Sequence, residues 1–372
     1  MHFRYLAIGL SAALYAVSTP LAAQAGSGGD AAMALLPHLA ERAGPDGNLI
    51  YSPVSVNQAA AVADIESAGT SLQGRFRPAL PASVLDSSDR EVTVRVANAL
   101  WLARAVGLAE GAEARARALG TTTMRADFAR RDALSGRING WVSSQTAGQI
   151  ASVIAPREID PADRAMVTGA LFFDGEWATP LKGRSTASFN TASGPARDVA
   201  VRTGIATAAV ARSGAWRALR MAYTNPRYAM DVIVPDSGAA LPDAATIDGL
   251  GTALDASANE LVAVQLPEFT VSYETGLIEA LGAIGVQWPG LQAREQVRAA
   301  VRPDRNRFGI DAVKLAAKLE LTDNGGAIAK ADLGVAATSF AADRPFLLLI
   351  RDREQGAILF VARIANPTAT TR

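Results

Sequence analysis

The chain has 372 residues, of which 49% are hydrophobic and 19% charged, with 36 basic side chains against 36 acidic ones. A protein without net charge has no long-range field to attract phosphates, and the sequence holds no long run of Lys and Arg, which argues against nucleic-acid binding. It has no cysteine and two histidines, His2 and His38. These counts exclude disulfides and thiolate chemistry, and they leave little basis for a histidine-dependent mechanism. The length and hydrophobic content predict a protein with a large core.

The first 25 residues are typical of a secretory signal peptide. A basic start at Arg4 precedes an apolar run over residues 6–17, and small residues at 23 and 25 precede Gly26. The alternative is a membrane anchor, but this run is shorter than the roughly 20 residues that span a bilayer. We therefore expect an exported chain, periplasmic or extracellular, with one domain over residues 26–372 and no membrane span in its mature form.

The remaining sequence predicts helices first and strands later. Apolar spacing predicts helices over residues 31–42 and 56–66, the second with Ser55 as its N-cap. Residues rich in β-branched and aromatic side chains predict strands over 92–101, 166–173, 228–234, 261–271, 346–350 and 357–364. Helices and strands do not alternate regularly, which favours an α+β domain over a doubly wound parallel sheet.

The usual motifs of enzyme active sites are absent from the sequence. It has no Gly-x-Ser-x-Gly turn, no phosphate-binding glycine loop and no dinucleotide fingerprint. His38 follows Pro37 in a predicted helix and is interpreted as a surface or capping residue. A site made only of carboxylates stays open, because acidic residues are frequent. We expect no enzyme activity, no cofactor and no metal site.

Five segments, read in chain order, resemble the serpin family. They begin at Asn48, Ile138, Phe172, Leu266 and Phe340, and the last continues to the Asn366-Pro367 pair. Trp or Pro at a strand end is more often a packing or turn residue, so each segment alone is weak evidence for the family. The order and spacing of all five segments make the resemblance specific. The residues that match the family's fold signature are Ser52, Pro53, Asn139, Trp141, Trp177, Phe340, Asp343, Pro345, Phe346, Asn366 and Pro367.

The resemblance implies a fold of three β-sheets and eight or nine helices, with an exposed reactive loop over about residues 323–339, in an exported bacterial-type member. In inhibitory members a serine or cysteine protease cleaves this loop as bait, and the cut strand inserts into the central sheet. The partner implied is therefore an endopeptidase. The candidate bait residues Leu333, Gly334 and Val335 are small or apolar, which suits elastase-like or subtilisin-like enzymes better than trypsin-like ones. We expect a monomer.

The hinge of this loop departs from the inhibitory pattern. Alignment with the family places the hinge on Asp323, Gly325, Gly326, Ala327, Ile328, Ala329 and Lys330. Because strand side chains alternate, Lys330 and Asp332 would face the core on insertion, which is unfavourable for an unpaired charge. A cut near Leu333 would free only about eight to ten residues, roughly 30 Å of strand.

Three further positions differ from the family. Gly169 and Leu315 stand where an Asn and a His would hydrogen-bond beneath the opening sheet, and Glu268 stands where a Lys would face the acid at Asp323. The sequence therefore predicts a like-charge contact at the top of the sheet. These departures leave two functions open: a serpin-type inhibitor, or a non-inhibitory serpin-fold binding protein whose loop does not insert.

Overall fold

The structure is a computed structural model that describes residues 30–65, 72, 74–89, 91–108, 110–238, 241–286, 310–321 and 338–369. The α-helices among these residues are α1 (Ala31–Ala43), α2 (Pro53–Asp64), α3 (Ala82–Leu85), α4 (Ala112–Ala118), α5 (Arg131–Gln145), α6 (Ala244–Ala256) and α7 (Leu277–Ala283). A short 3-10 helix covers Pro156–Glu158.

The strands form a six-stranded and a nine-stranded hydrogen-bonded network. Their bounds are β1 (Leu49–Tyr51), β2 (Ser87–Ser88), β3 (Val92–Ala103), β4 (Thr121–Ala126), β5 (Ala165–Gly175), β6 (Gly183–Thr191), β7 (Gly194–Ser213), β8 (Trp216–Ala222), β9 (Tyr228–Pro235), β10 (Glu260–Pro267), β11 (Phe269–Gly276), β12 (Ala312–Leu321), β13 (Thr338–Ala341), β14 (Phe346–Asp352) and β15 (Ala357–Ile364). The six-stranded sheet has the order β11-β12-β5-β3-β2, with β4 also paired to β3.

The nine-stranded network is two sheets that share one long strand. Strand β7 has 20 residues; its first part pairs with β6 and β10, and its last residues pair with β8. Strands β9, β14, β15 and β1 continue from β8, while β13 pairs in parallel with β10. The architecture is therefore the predicted α+β fold with three sheets, the second and third joined through β7.

The core lies between the sheets and helices α1 and α2. Buried leucines of α1 pack with α2, α7 and the β14–β15 hairpin, and a second cluster fills the space between the nine-stranded network and the six-stranded sheet. A third cluster lies under α5 and includes Trp101 and Ile138. Most residues of β9 and β15 are buried on both faces, which matches the predominantly apolar sequence of these two strands.

Two predicted elements need correction. Helix α2 begins at Pro53 with Ser52 as its N-cap, whose hydroxyl accepts the Ser55 amide at 3.1 Å, so Ser55 is not the cap. The predicted strand over residues 261–271 is two strands in different sheets, separated at Glu268. Sequence alternation could not reveal this break, because both strands are rich in β-forming residues.

Candidate functional site

The candidate site is the seam between β5 and β12 in the six-stranded sheet. The two strands run in parallel and pair directly, from Ala312 opposite Met166 to Lys318 opposite Phe172. Strand β12 ends at Leu321, and the next described residue is Thr338 in β13, which belongs to the nine-stranded network. The segment that holds the predicted loop therefore joins two different sheets.

Gly169 and Leu315 face each other across this seam, since their Cα atoms are partners in the ladder. Leu315 is buried, and a Cβ atom on Gly169 would lie 2.8 Å from Leu315 Cδ2. The leucine side chain thus uses the space that a larger residue at position 169 would need. The seam carries an apolar contact at the place where the family resemblance implies a polar one.

A buried hydrogen-bonded chain lies beside the seam on β3. Asn98, paired with Gly169 across β3 and β5, donates from Nδ2 to Gln58 Oε1 at 3.0 Å. Gln58 on α2 donates in turn to the carbonyl of Leu80 at 2.8 Å. This chain ties β3 to α2 and does not cross from β5 to β12. The sequence analysis missed it, because neither residue belongs to a local motif.

Helix α5 covers this sheet and is fixed by Asn139. The Asn139 amide oxygen accepts the backbone amides of Val153 and Ile154 at 2.9 and 3.2 Å, and its Nδ2 donates to the Ile154 carbonyl at 2.9 Å. Trp141 packs edge-on against Trp101, with ring centroids 6.2 Å apart. The second signature segment therefore anchors a helix on the sheet that contains the seam.

The lower end of the seam is held by charged side chains. Asp311 accepts the backbone amides of Arg164 and Ala165 at 2.7 and 3.1 Å. Lys314 on β12 donates to Glu158 at 2.6 Å, and Glu158 also accepts the Ala155 amide. Burial opposes ionisation of Glu158, but the Lys314 ammonium and the Ala155 amide outweigh it, so the pKa of Glu158 lies below its usual value.

Glu268 lies at the upper end, just before β11, and is ion-paired. Its Oε1 lies 2.7 Å from Arg202 Nε and 3.1 Å from Arg184 Nε, on β7 and β6. Glu268 is therefore charge-compensated by these two arginines, which lie far from it in sequence. These two ion pairs were not predicted from the sequence, and the predicted like-charge contact with Asp323 stays a prediction. The contact with Asp323 falls outside the described residues.

The first and last signature segments meet. Asn48 Oδ1 accepts the amides of Ala365 and Asn366 at 2.8 and 2.9 Å, and its Nδ2 donates to the Asn366 carbonyl at 2.7 Å. Pro367 is buried next to this contact. One side chain near the start of the fold thus fixes the chain after β15.

The segment that begins at Phe340 is a packing unit. Phe340 is buried in β13, with the Arg217 guanidinium 5.6 Å from its ring centre. Phe346 makes edge contacts with Phe189 and Phe269, with centroids 6.4 and 6.2 Å apart. The remaining signature residues form turns and bridges: Asp343 pairs with Arg344, Pro345 precedes β14, and Trp177 forms a bridge with Tyr223.

The predicted hinge and bait residues lie outside the described residues. These are Asp323, Gly325, Gly326, Ala327, Ile328, Ala329, Lys330, Asp332, Leu333, Gly334 and Val335. Within the described part of the chain, no cluster of three or more His, Asp or Glu side chains is arranged to hold a metal ion. The helices of that same part include none long and apolar enough to cross a membrane.

The comparisons with known structures agree with this geometry. Native protease nexin-1 with heparin superposes with a TM-score of 0.77 at 19% identity, over 91% of this chain and 98% of that one. An Arabidopsis serpin in its native stressed conformation gives 0.74 at 18%, over 91% and 96%. Thyroxine-binding globulin complexed with thyroxine gives 0.73 at 20%, over 91% and 99%. These likenesses establish the fold.

The sequence comparisons identify the family. A serine protease inhibitor of Cyanea capillata is 23% identical over 357 residues, covering 88% of this chain and 94% of that protein. Neuroserpin of Homo sapiens is 22% identical over 364 residues, covering 87% of each chain. Both relatives are eukaryotic, so a bacterial-type origin stays a prediction. A sequence model of the serpin (serine protease inhibitor) family matches residues 27–367. The chain therefore belongs to the serpin family, a family of protease inhibitors rather than of enzymes.

Proposed function

We propose that this chain is a serpin-type inhibitor of serine endopeptidases, with cysteine endopeptidases as a second target class, that acts as a bait-loop suicide substrate by strand insertion. The observation that carries the proposal is the direct parallel ladder between β5 and β12, with β12 leading into the segment that holds the predicted bait. A strand that reverses direction after β12 would run antiparallel to both neighbours, so it can pair on both sides.

Backbone hydrogen bonding supplies a driving force for this insertion. One parallel ladder would be replaced by two antiparallel ladders, and antiparallel pairing is slightly more stable per residue. No hydrogen bond between side chains crosses from β5 to β12 in the described stretch of β12 up to Ala317, so parting the strands there leaves no buried side-chain partner behind. Opening the seam over this stretch therefore orphans no side-chain polar group, and the incoming strand would pair the backbone groups that it exposes.

The target class and the compartment belong to the same proposal. Residues 333–335 are Leu-Gly-Val, which suits elastase-like or subtilisin-like proteases. The apolar run and small residues at the start of the chain support export to the periplasm or the extracellular space, where such proteases would be met. The inhibitor would act as a monomer and without a cofactor.

The test is incubation of the mature chain with subtilisin-like and elastase-like proteases, followed by denaturing electrophoresis. We expect a covalent complex that survives boiling in detergent. The matched control is the same protease with its catalytic serine chemically blocked, which should give no complex because the acyl bond cannot form. Clean cleavage of the chain without a complex contradicts inhibition.

A non-inhibitory serpin-fold binding protein is the second candidate. The apolar Leu315–Gly169 contact favours it, since it replaces the polar pair that the family resemblance implies at the opening of the sheet. The charged Lys330 and Asp332 also oppose burial of the hinge. If this second function holds, cleavage in the loop leaves the melting temperature unchanged, because no strand is added to the sheet.

A further inference from the structure

A cavity of about 260 Å³ lies between the start of α2 and the turn that joins β14 to β15. Helix α2 contributes Pro53, Val54 and Asn57 to its lining, and the hairpin contributes residues 355–358. An engineered protein cavity of about 150 Å³ is large enough to bind benzene. Segments that are distant in sequence thus enclose a space of the size that a small organic molecule needs.

The side chain of Asn57 is buried in the wall of this cavity without a partner. Only 7% of the residue is exposed, its Oδ1 accepts no hydrogen bond, and its Nδ2 donates to no described residue. A buried polar group left unpaired destabilises a fold and calls for a specific explanation. Rotation about the terminal torsion of Asn has a broad preference, so both ends of the amide can turn to the cavity. The amide offers one donor and one acceptor to a molecule inside.

The charged groups at the cavity compensate one another. Asp30, the N-cap of α1, lines the cavity, and its Oδ2 lies 3.0 Å from Nε of Arg77, another lining residue. Arg77 Nη2 lies 3.4 Å from Asp248 Oδ2 on α6. Each of these charges already has an opposite charge beside it, and burying a further charge without a partner is unfavourable. The lining therefore favours a neutral ligand over an ion.

Apart from these groups and Gln355, the lining is apolar. Val54 and Ile358 are buried, and Leu80 is half-buried. Gln355 is half-buried too, and its side-chain amide forms no hydrogen bond with a described residue. Ligand sites typically combine apolar walls with a few polar groups that fix the orientation of the ligand. The molecule that fits has an apolar body and a polar edge that both donates and accepts.

We propose that this cavity binds a small neutral carboxamide, whose amide edge pairs with Asn57 and whose apolar part packs against Val54, Leu80 and Ile358. A carboxamide matches both ends of the Asn57 amide at once. An alcohol carries its donor and acceptor on one atom, and a carboxylate has no donor and would bring a second negative charge to Asp30. The volume sets the ligand at about ten non-hydrogen atoms. The inference does not rest on the proposed protease inhibition.

The test is calorimetric titration of the chain with benzamide and with cyclohexanecarboxamide, and acetophenone is the matched control ligand. Acetophenone has the shape of benzamide but carries a methyl group in place of the amide nitrogen, so it cannot donate to Asn57. We expect a Kd of about 1 mM or lower for the two carboxamides, as the ligand efficiency of small molecules allows. Acetophenone should bind about tenfold more weakly, because it leaves Oδ1 of Asn57 unpaired.

A pair of variants locates the binding. Asn57→Leu keeps the approximate volume of the side chain and removes both polar ends, so it should weaken benzamide binding about tenfold and leave acetophenone binding unchanged. Asn190→Leu makes the same substitution at an exposed residue of β6 and should change neither. Removing an unpaired buried polar group should not lower the melting temperature. If Asn57→Leu fails to fold, the comparison of benzamide with acetophenone on the wild type decides alone.

Each outcome bears on this site and none on protease inhibition. Absence of binding by both carboxamides, at about ten times the expected Kd, assigns the cavity to water and overturns the proposal. Equal affinities for benzamide and acetophenone overturn recognition of the amide edge. Benzamide binding that Asn57→Leu leaves unchanged places the ligand elsewhere and overturns the site. A complex with a protease, or its absence, is measured without these ligands, so the two proposals fail separately.

Discussion

The β5–β12 seam and the region around β9, β14 and β15 are both central to the fold, yet they are held in different ways. In the second region, Asp231 on β9 is buried and accepts from Arg220 Nε at 2.6 Å, Arg220 Nη2 at 2.7 Å and Arg351 Nε at 2.6 Å. Asp352, also buried, accepts from Arg227 at 2.6 and 3.0 Å. At the seam, the contact between the strands is the backbone ladder and the Leu315–Gly169 packing.

Under the proposed function, this difference bears on where the sheet would open. Parting two strands linked by buried ion pairs leaves an uncompensated charge, which is strongly unfavourable. Parting β5 from β12 exposes apolar surface and backbone groups, and an incoming strand can cover both. Two side-chain hydrogen bonds of the six-stranded sheet lie on the β3 side of the seam, the Asn98–Gln58 pair and the Trp101–Thr168 bond of 2.9 Å, and Asp311 holds the Ala165 amide at the lower end of the seam. These side-chain contacts therefore lie beside the strands that have to part under the proposed function.

The largest expected effect comes from breaking the rigid region. Asp231→Asn removes the carboxylate that compensates two arginines and should lower the free energy of unfolding by about 3–5 kcal/mol. The measurement is urea unfolding, in which the midpoint should fall while the slope of the unfolding free energy against urea concentration stays unchanged. Asp255→Asn is the matched control, because Asp255 pairs with the same Arg220 but is 58% exposed and should matter by less than about 1 kcal/mol. Equal effects of the two variants would contradict the comparison.

The seam itself is tested by a double-mutant cycle. Leu315→Ala leaves a cavity and should destabilise the chain by about 3 kcal/mol, and Gly169→Ala should destabilise it by about 1–3 kcal/mol, since the new Cβ would lie 2.8 Å from Leu315 Cδ2. In the double variant the shorter side chain at 315 leaves room for the alanine at 169. The loss of stability should therefore be smaller than the sum of the losses in the two single variants. Strict additivity in urea unfolding would show that the two residues are not in contact.

A smaller effect is expected where the segment that begins at Asn48 meets the chain after β15. Asn48→Ala removes three hydrogen bonds to Ala365 and Asn366 and leaves the buried Ala365 amide and the half-buried Asn366 amide without an acceptor, which should lower the free energy of unfolding by about 2 kcal/mol. Asn190→Ala is the control, since that exposed asparagine donates to a backbone carbonyl at 3.3 Å. Equal melting temperatures of the Asn48→Ala and Asn190→Ala variants would show that the hydrogen bonds of Asn48 do not stabilise the fold.

The smallest effect concerns the Lys314–Glu158 pair at the lower end of the seam. The pKa of Glu158 is lowered in the folded protein, so its ionised form stabilises the fold at neutral pH, and this contribution is lost as the pH falls through that lowered value. Glu158→Gln should therefore be less stable than wild type at pH 7 by less than about 1 kcal/mol, because the side chain is partly exposed. The difference should vanish in acid, and urea midpoints at several pH values measure it. A difference that grows in acid would contradict the assigned sign.

Much of the fold could be predicted from sequence, because the signature residues are packing residues. Phe346, Asn366 and Trp141 all take part in contacts that join different segments of the fold, and strand β15 has the predicted bounds. The alignment with the family also predicted that positions 169 and 315 contact each other. Their Cα atoms are indeed partners in the parallel ladder between β5 and β12.

The rest depended on contacts between distant segments. Nothing in the sequence indicated that two arginines from β6 and β7 pair with Glu268, because only the register of three strands brings them there. The Asn98–Gln58 pair likewise joins two distant segments, β3 and α2. Such contacts depend on how distant elements pack together, and no local pattern in the sequence encodes them.

The melting temperature of the chain before and after a single cut in the loop tests the central claim most directly. The account holds that the β5–β12 seam opens to take up a strand while the region around Asp231 stays fixed. It predicts that the cut chain melts well above the intact one, because the added strand completes two ladders. A cut chain that melts at the same temperature as the intact chain would show that the seam does not take up the strand, and it would contradict inhibition by insertion.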